Sequence, residues 1–336
     1  MTGVGQDDDA FHQDVLDRDL PSGEPPVYLI DASIYVFRAW HTMPDAFTDA
    51  DGWPTNAVAG FTRFLLDVLE RERPKHIVVA FDEALDTCYR NALYPAYKAN
   101  RDPAPEELKR QFAHCRAVCA ALGLSVLGHP DYEADDLIGS ALVKARAAGH
   151  RGIVLSADKD LSQLLHLGDE QWDYARNQRW GVHGVKARHG VEAHQIADYL
   201  ALSGDAVDNI PGVPGIGAKT AAVLLAHFGD LDSLLARVDE VPFLRLRGAA
   251  QTAARLREHR ENALLFRRLT TIACDAPVGE TAPRFHRGGA DADALGTLCE
   301  HLRFGPMTRR RLYAAGGLDF AQHAAASEHS GETFDR

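Results

Sequence analysis

Short apolar runs, three of which end on an aspartate, recur along the first half of this chain and constrain its fold more than any other feature. The runs are "VYLID" (27–31), "HIVVAFD" (76–82), "LSVLG" (124–128) and "GIVLSADKD" (152–160), and helical segments such as 56–72 separate them. Strands that alternate with helices are typical of an α/β fold. We therefore predict a mostly parallel central sheet flanked by helices.

Acidic residues lie at the ends of these predicted strands and at the starts of neighbouring elements. In a parallel α/β sheet, ligands bind beyond the carboxyl ends of the strands. "YEADD" begins a helix near Ala134, and Asp205 and Asp208 are three residues apart, so one helical turn would point both the same way. We expect nine carboxylates at this edge: Asp31, Asp82, Glu133, Asp135, Asp136, Asp158, Asp160, Asp205 and Asp208.

So many neighbouring carboxylates require cations, because burial and mutual repulsion would otherwise raise their pKa values until many were neutral. Ligation by carboxylates without histidine or cysteine suits Mg²⁺, with Mn²⁺ as a substitute, rather than zinc. Two clusters favour two ions ~4 Å apart, an arrangement used for phosphodiester hydrolysis. Any one aspartate alone is equally well explained as a turn residue or helix cap, and Asp136 alternatively stands behind the ligands.

The segment "IPGVPGIGAKTA" (210–221) has the glycines and lysine of a phosphate-binding loop. It is not a nucleotide P-loop, because Ala218 precedes Lys219 and puts the lysine one residue out of register. A helix–hairpin–helix-type turn fits better, since glycines allow close approach and the amides at a helix start bind phosphates without reading bases. A bare helix–turn–helix core with glycines is the alternative. The predicted DNA-binding residues are Gly212, Gly215, Gly217, Lys219 and Thr220.

The net charge of −12 does not exclude a nucleic-acid partner, because of where the acids lie. Residues 1–26 hold seven acidic residues against one arginine, and the nine candidate ligands add more. By contrast, residues 237–268 hold eight arginines against four acids, which favours a duplex-facing side, although solvated ion pairs also explain some of them.

Other features of the sequence bear on its compartment. No apolar run approaches the ~20 residues of a membrane span, so no membrane partner is expected. The N-terminus lacks the pattern of a signal peptide, and the five cysteines lack a CxxC spacing, so we expect a cytoplasmic protein with reduced, structural thiols. The histidines, including His183, His189 and His194, show no tight metal-ligand spacing, and we interpret them as surface or structural residues.

Six segments in order resemble the 5′-nuclease (flap endonuclease) superfamily, in particular the 5′–3′ exonuclease domain of bacterial DNA polymerase I and its free-standing relatives. They are "LIDASIYVFRAWH", "VVAFD", "YRNALYPAYKANR", "YEADDLIG", "SADKDLSQLL" and "GDAVDNIPGVPGIGAKTA". The resemblance implies a PIN-like core with a helical arch and a C-terminal helical DNA-binding subdomain of the helix–hairpin–helix type. It implies two metal sites. The first would be formed by Asp31, Asp82, Glu133, Asp135 and Asp136, and the second by Asp158, Asp160, Asp205 and Asp208. Ala157 stands where relatives often have glycine.

The resemblance also implies a set of arch residues that act on the substrate. Tyr97 would stack on a base, while Lys98 and Arg101, on one helical face, and Arg90 would reach the scissile phosphate. The alternative for these residues is a solvated basic face with Tyr97 as half-buried packing.

From these features we predict four segments. They are an acidic flexible tail (1–26), a catalytic domain (27–190) with an arch at about 88–116, a DNA-binding domain (191–280) and a C-terminal extension (281–336) with a flexible end.

The implied function is that of a stand-alone, monomeric Mg²⁺-dependent 5′-nuclease of DNA replication and repair. Its substrates would be DNA with 5′ flaps or 5′ ends; RNA primers and a K⁺ ion at the hairpin turn stay open. A catalytically weak DNA-binding protein of the same fold is the alternative, disfavoured by the complete carboxylate set. A PIN-like ribonuclease would share the acids but would not need the hairpin segment.

Overall fold

A six-stranded sheet forms the centre of the protein in a computed structural model that describes residues 24–83, 88–279 and 285–320. The strands are β1 (Glu24–Asp31), β2 (His76–Ala80), β3 (Ser125–Leu127), β4 (His150–Leu155), β5 (Glu170–Asp173) and β6 (Gln178–Gly181). Their order is β3-β2-β1-β4-β5-β6, and only β6 pairs antiparallel. The predicted mostly parallel sheet is confirmed. Strand β1 begins three residues earlier than predicted, and the β5–β6 hairpin was not predicted.

Helices cover both faces of this sheet. On one face lie α1 (Ala32–Thr42), α2 (Asn56–Glu72) and α4 (Glu106–Ala121), and on the other lies α5 (Ala134–Ala147). The short helices α3 (Tyr89–Leu93) and α6 (Val182–His189) pack into a separate apolar cluster. Alternate side chains of β1 enter opposite layers: Tyr28 and Ile30 pack with α1, α2 and α4, whereas Val27 and Leu29 pack with α5. This two-sided burial explains why the central strands are apolar at consecutive positions.

A second, helical unit follows the sheet, as predicted. It contains α7 (Ile196–Ser203), α8 (Ala218–Phe228), α9 (Leu231–Ala236), α10 (Ala249–Glu258) and α11 (Arg260–Thr270) around its own apolar core. The chain then returns to the first unit, where α12 (Ala292–His301) and α13 (Pro306–Ala315) pack into the α2–α4 layer.

Two predicted segments lie wholly or partly outside the described residues: most of the acidic tail and the C-terminal end from residue 321. Residues 84–87, just before the predicted arch, also lie outside them. Within the described ranges, no helix is both long enough and apolar enough to cross a membrane.

Candidate nuclease site

The first acidic residues of the site are placed by the ends of β1 and β2. Asp31 ends β1 and is the N-cap of α1, and its Oδ2 accepts a 2.8 Å hydrogen bond from Ser156 Oγ. Asp31 pairs in register with Ala80 of β2, so Asp82 lies at the same edge. The Asp82 carboxylate accepts a 2.8 Å hydrogen bond from the amide of Ala134, which ties it to the start of α5. The predicted grouping of strand-end acids therefore has a structural basis.

These carboxylates raise one another's pKa values. Burial, followed by the charge of Asp82, raises the pKa of Asp31 to about 7. Burial and Asp158 likewise raise the pKa of Asp160 to about 8, and burial, Asp158 and Asp31 raise that of Asp135. Buried acids that repel each other form a donor set suited to hard divalent cations.

Two further observations support a fit between these residues and divalent cations. Asp160 Oδ1 is buried and accepts no hydrogen bond, although Lys159 Nζ lies 3.4 Å from it. Within the described ranges, no ion pair involves a basic side chain and any of Asp31, Asp82, Asp135 or Asp158. In that part of the chain, these four carboxylates therefore form no direct ion pair with a protein cation.

The other acids of the set are already paired with basic side chains. Glu133 pairs with Lys98 and, at 2.8 Å, with Arg90. Burial alone would raise the pKa of Glu133, but the two cations lower it by more than burial raises it, so the net shift is downward. Asp208 accepts a 2.8 Å hydrogen bond from Arg101, and Asp205 accepts a 2.6 Å bond from Lys159. Sequence reasoning missed the role of Lys159, whose only signal was its place between two acids in "SADKD".

Arg90 is not placed to contact a phosphate, contrary to the prediction. It is 2% exposed, and its guanidinium donates to both oxygens of Asp136 at 2.7 Å. Its remaining N–H groups donate to Glu133 and to the carbonyls of Leu269 and Thr271. Arg90 thus joins the sheet unit to the end of α11. Asp136 accepts both hydrogen bonds from this arginine, which agrees with the alternative that Asp136 supports the metal ligands without binding metal itself.

The predicted arch differs in conformation from the helix expected at Tyr97, Lys98 and Arg101. Residues 95–100 form turns between α3 and α4, and Lys98 has a left-handed φ of 54°, so the predicted helical spacing of Lys98 and Arg101 is wrong. Tyr97 is 3% exposed, and its hydroxyl donates to Glu133 at 2.9 Å and lies 3.1 Å from Asp208. A ring buried in this way offers no face to a base, so the stacking prediction is also wrong for this conformation.

Asp205 and Asp208 lie on a closed turn and not on the predicted helical turn. The backbones of Asp205 and Ile210 exchange two 2.7 Å hydrogen bonds, which close the intervening residues into a loop. The left-handed φ of 57° at Asn209 completes the turn, a conformation that asparagine tolerates. The two carboxylates therefore take separate partners.

The turn between α7 and α8 lies where the hairpin was predicted, and Gly212 and Gly215 in it have left-handed φ values that favour glycine. Gly212 has a φ of 68°, and a Cβ there would lie 2.3 Å from the nitrogen of Gly204. A Cβ on Gly215 would collide with the guanidinium of Arg255 on α10. Arg255 at the hairpin was not predicted. Gly217 caps α8, a Cβ there would meet open space, and Lys219 and Thr220 stand in the first turn of that helix.

A cavity of about 880 Å³ connects the acids with the arch segment. Its lining includes Phe37, Asp82, Tyr97, Lys98, Arg101 and Glu133. The cavity therefore places Asp82, which has no ion-pair partner among the described residues, beside Lys98 and Arg101, which are held by other carboxylates.

Two family models match consecutive parts of the chain. The model described as "5′–3′ exonuclease, N-terminal resolvase-like domain" matches residues 26–190, and "5′–3′ exonuclease, C-terminal SAM fold" matches 191–293. The chain belongs to the 5′–3′ exonuclease family. This family of nucleases is the one that the six sequence segments resemble, so that prediction is confirmed.

Curated relatives of this exonuclease family member include bacterial DNA polymerases I. That of Pseudomonas aeruginosa is 40% identical over 283 residues, which cover 84% of this chain and 31% of the relative. That of Mycobacterium tuberculosis is 37% identical over 304 residues, covering 88% of this chain and 32% of the relative. The chain thus spans about a third of the length of these relatives.

Solved nucleases share the fold. T5 5′-exonuclease with bound divalent metal ions (zinc) aligns with a TM-score of 0.60 at 17% identity, covering 87% of this chain and 99% of that one. The catalytic core of Rad2 in complex with DNA substrate aligns with a TM-score of 0.57 at 14% identity, covering 87% and 96%. Human GEN1 in complex with Holliday junction DNA gives 0.58 at 12% identity, covering 93% and 75%.

Proposed function

We propose that this chain is a Mg²⁺-dependent, structure-selective 5′-nuclease that hydrolyses phosphodiesters in DNA with 5′ flaps or 5′ ends. The observation that carries the proposal is the group of buried, mutually repelling acids beside the arch cavity. Membership of the exonuclease family supports the reaction class. A role in replication and repair follows from such substrates, and we expect the protein to act as a monomer.

Two divalent ions would be held by the strand-end acids. We propose that the first ion is held by Asp31, Asp82, Asp135 and Glu133. The second would be held by Asp158, Asp160, Asp205 and Asp208. When bound, such ions supply activation of water and stabilisation of negative charge on the phosphodiester. Ser156 orients Asp31 through its 2.8 Å hydrogen bond.

The basic residues of the arch would act after leaving the acids that now hold them. Lys98 and Arg101 line the cavity while pairing with Glu133 and Asp208. Once released from Glu133 and Asp208, the side chains of Lys98 and Arg101 would bind the phosphates of a 5′ strand entering the cavity. We propose this role for Lys98 and Arg101 and not for the buried Arg90.

The hairpin would hold the duplex part of the substrate. The free amides at the start of α8 and the side chains of Lys219 and Thr220 would donate to backbone phosphates. Such contacts are independent of sequence and weaken with salt. A K⁺ ion at carbonyls of the turn between Gly212 and Gly217 belongs to the same proposal, and exchange of K⁺ for Na⁺ in the binding assay tests it.

A 5′-labelled flap duplex tests the proposed function, with cleavage followed in Mg²⁺ and in EDTA. Asp31→Asn and Asp158→Asn should each reduce cleavage by at least about 100-fold while leaving duplex binding in place. Asp232→Asn removes an exposed acid of α9 as a matched control and should cleave normally. Undiminished cleavage by both site variants would contradict the proposal. Tight binding without cleavage in any divalent metal would favour a DNA-binding protein of the same fold.

A further inference from the structure

A second group of potential metal ligands lies apart from the nuclease acids, on the side of the sheet unit covered by α12. Asp49, His114 and His301 each offer one ligand atom, and these atoms lie within 4.8 Å of one another. Asp49 belongs to the loop between α1 and α2, His114 to α4 and His301 to the end of α12. We infer that these three side chains bind a divalent transition-metal ion such as Zn²⁺, which would link the C-terminal segment to the sheet unit.

The aspartate is held in place by its own loop. Asp49 is 1% exposed, and its Oδ1 accepts hydrogen bonds from the amides of Asp51 at 2.9 Å and Trp53 at 2.8 Å. Its other oxygen, Oδ2, lies 3.6 Å from Nε2 of His301. The amide of Ala50 donates a 2.8 Å hydrogen bond to the carbonyl of His301, so loop and helix end are fixed to each other. One ligand oxygen is thereby directed at the histidines.

The spacing suits an ion better than a direct contact. A separation of 3.6 Å between Asp49 Oδ2 and His301 Nε2 exceeds a normal hydrogen bond. Two ligand atoms that each lie about 2.0–2.1 Å from a tetrahedral Zn²⁺ are about 3.4 Å apart. The rings of His114 and His301 have centroids 5.2 Å apart and planes inclined by 46°, and a ligand nitrogen of His114 lies within 4.8 Å of the other two ligand atoms.

The charges around the cluster also suit a cation with nitrogen ligands. Burial, and then the neighbouring His301, lower the pKa of His114, a direction that favours the neutral imidazole which a metal requires. Arg110 is the opposing positive charge, but it stacks over Trp53 at 4.7 Å and pairs with Asp51 at 3.3 Å. The main alternative is an ion pair of Asp49 with protonated His301, which binds no metal.

The ligand types distinguish this cluster from the nuclease acids. Imidazole nitrogens favour Zn²⁺, Ni²⁺ or Co²⁺, whereas all-carboxylate sites favour Mg²⁺. Excess Mg²⁺ competes with Zn²⁺ for the carboxylates, so Zn²⁺ binding that persists in excess Mg²⁺ and is lost in the histidine variants belongs to this cluster. Among the described residues, no other group of three or more histidine, cysteine or acidic side chains has ligand atoms this close together.

The experiment uses the full chain, stripped of metal and carrying Asp158→Asn to weaken the nuclease acids. Calorimetric titration with Zn²⁺ in excess Mg²⁺ should give one ion per chain, and Co²⁺ should give the visible absorption of a nitrogen-ligated site. His114→Ala and His301→Ala should each weaken Zn²⁺ binding at least tenfold and abolish the rise in Tm that Zn²⁺ causes. His194→Ala, at an exposed histidine, is the matched control and should bind as the parent does.

Asp49→Asn guards against a folding defect in the histidine variants, because its amide oxygen can still accept the two loop hydrogen bonds while the anionic ligand is lost. It should also bind Zn²⁺ at least tenfold more weakly, with an unchanged circular dichroism spectrum. Equal Zn²⁺ affinity in the parent and in all three variants, or no Zn²⁺ binding in excess Mg²⁺, would overturn the inference. A stability gain from acid alone, without metal, would support the ion pair instead.

Discussion

At the scale of single residues, Asp160 carries a pH-dependent destabilisation of the folded protein. Burial and then Asp158 raise its pKa from 3.8 to about 8. A carboxyl group whose pKa rises on folding holds its proton more tightly in the folded state, so stability falls as pH rises through that interval. In metal-free protein, we expect Asp160→Asn to gain stability relative to wild type as pH rises from 3.8 to about 8, by up to about 1.4 kcal/mol per pH unit.

Urea unfolding in EDTA at a series of pH values measures this difference. Asp232→Asn, at an exposed acid outside the site, is the matched control for the loss of one carboxylate. Addition of Mg²⁺ should remove the advantage of Asp160→Asn, because cations stabilise the charged form of the wild-type acid. If the difference in unfolding free energy between Asp160→Asn and wild type did not change with pH, the pKa of Asp160 would not be raised by folding.

Arg90 gives a second test at the residue scale, between a structural and a substrate-binding role. Arg90→Lys keeps the charge but loses the bidentate pair with Asp136 and the bonds to two carbonyls. Because a buried acid is left poorly paired, we expect the free energy of unfolding to fall by about 2–4 kcal/mol. Arg101→Lys, at a half-exposed pair with Asp208, should cost under about 1 kcal/mol. Unchanged stability with lost cleavage would instead support contact between Arg90 and the phosphate.

At the scale of elements, the hairpin before α8 should set the salt dependence of DNA binding. Lys219→Gln removes one exposed cation from the first turn of α8 without touching the nuclease acids. If Lys219 neutralises one phosphate, the slope of log K against log salt should become less steep by about 0.9. Fluorescence anisotropy with a duplex measures this slope, with Lys186→Gln on α6 as a control of equal charge change. Equal slopes for the two variants would remove Lys219 from the duplex interface.

The regular elements and the arch segment show what the sequence could and could not predict. The strands β1 and β2 and the helix α2 were predicted because the hydrophobicity of a segment and its periodicity are local properties of the sequence. The conformation of the arch was not, because it depends on distant partners: Tyr97 donates to Glu133, 36 positions away, and approaches Asp208, 111 positions away. The family pattern identified these residues but not the ion pairs that hold them.

At the scale of the whole molecule, the C-terminal segment is part of the catalytic unit. The family match ends at residue 293, yet Leu295 on α12 and Leu312 on α13 are buried in the same core as α2 and α4. Arg311 adds ion pairs with Asp67 at 2.6 Å and Glu70 at 2.7 Å on α2. The sheet unit therefore depends on residues that follow the helical unit in the chain.

This dependence predicts that a change in α12 destabilises the fold as a core change would. Leu295→Ala removes a fully buried side chain, so we expect a loss of about 2–5 kcal/mol in the free energy of unfolding. Thr297→Ala, on the exposed side of the same helix, should stay within about 0.5 kcal/mol of wild type. Urea unfolding followed by circular dichroism measures both. Equal stability of the two variants would mean that α12 packs loosely on a unit able to fold without it, whereas the expected difference makes residues 285–320 an integral layer of the nuclease.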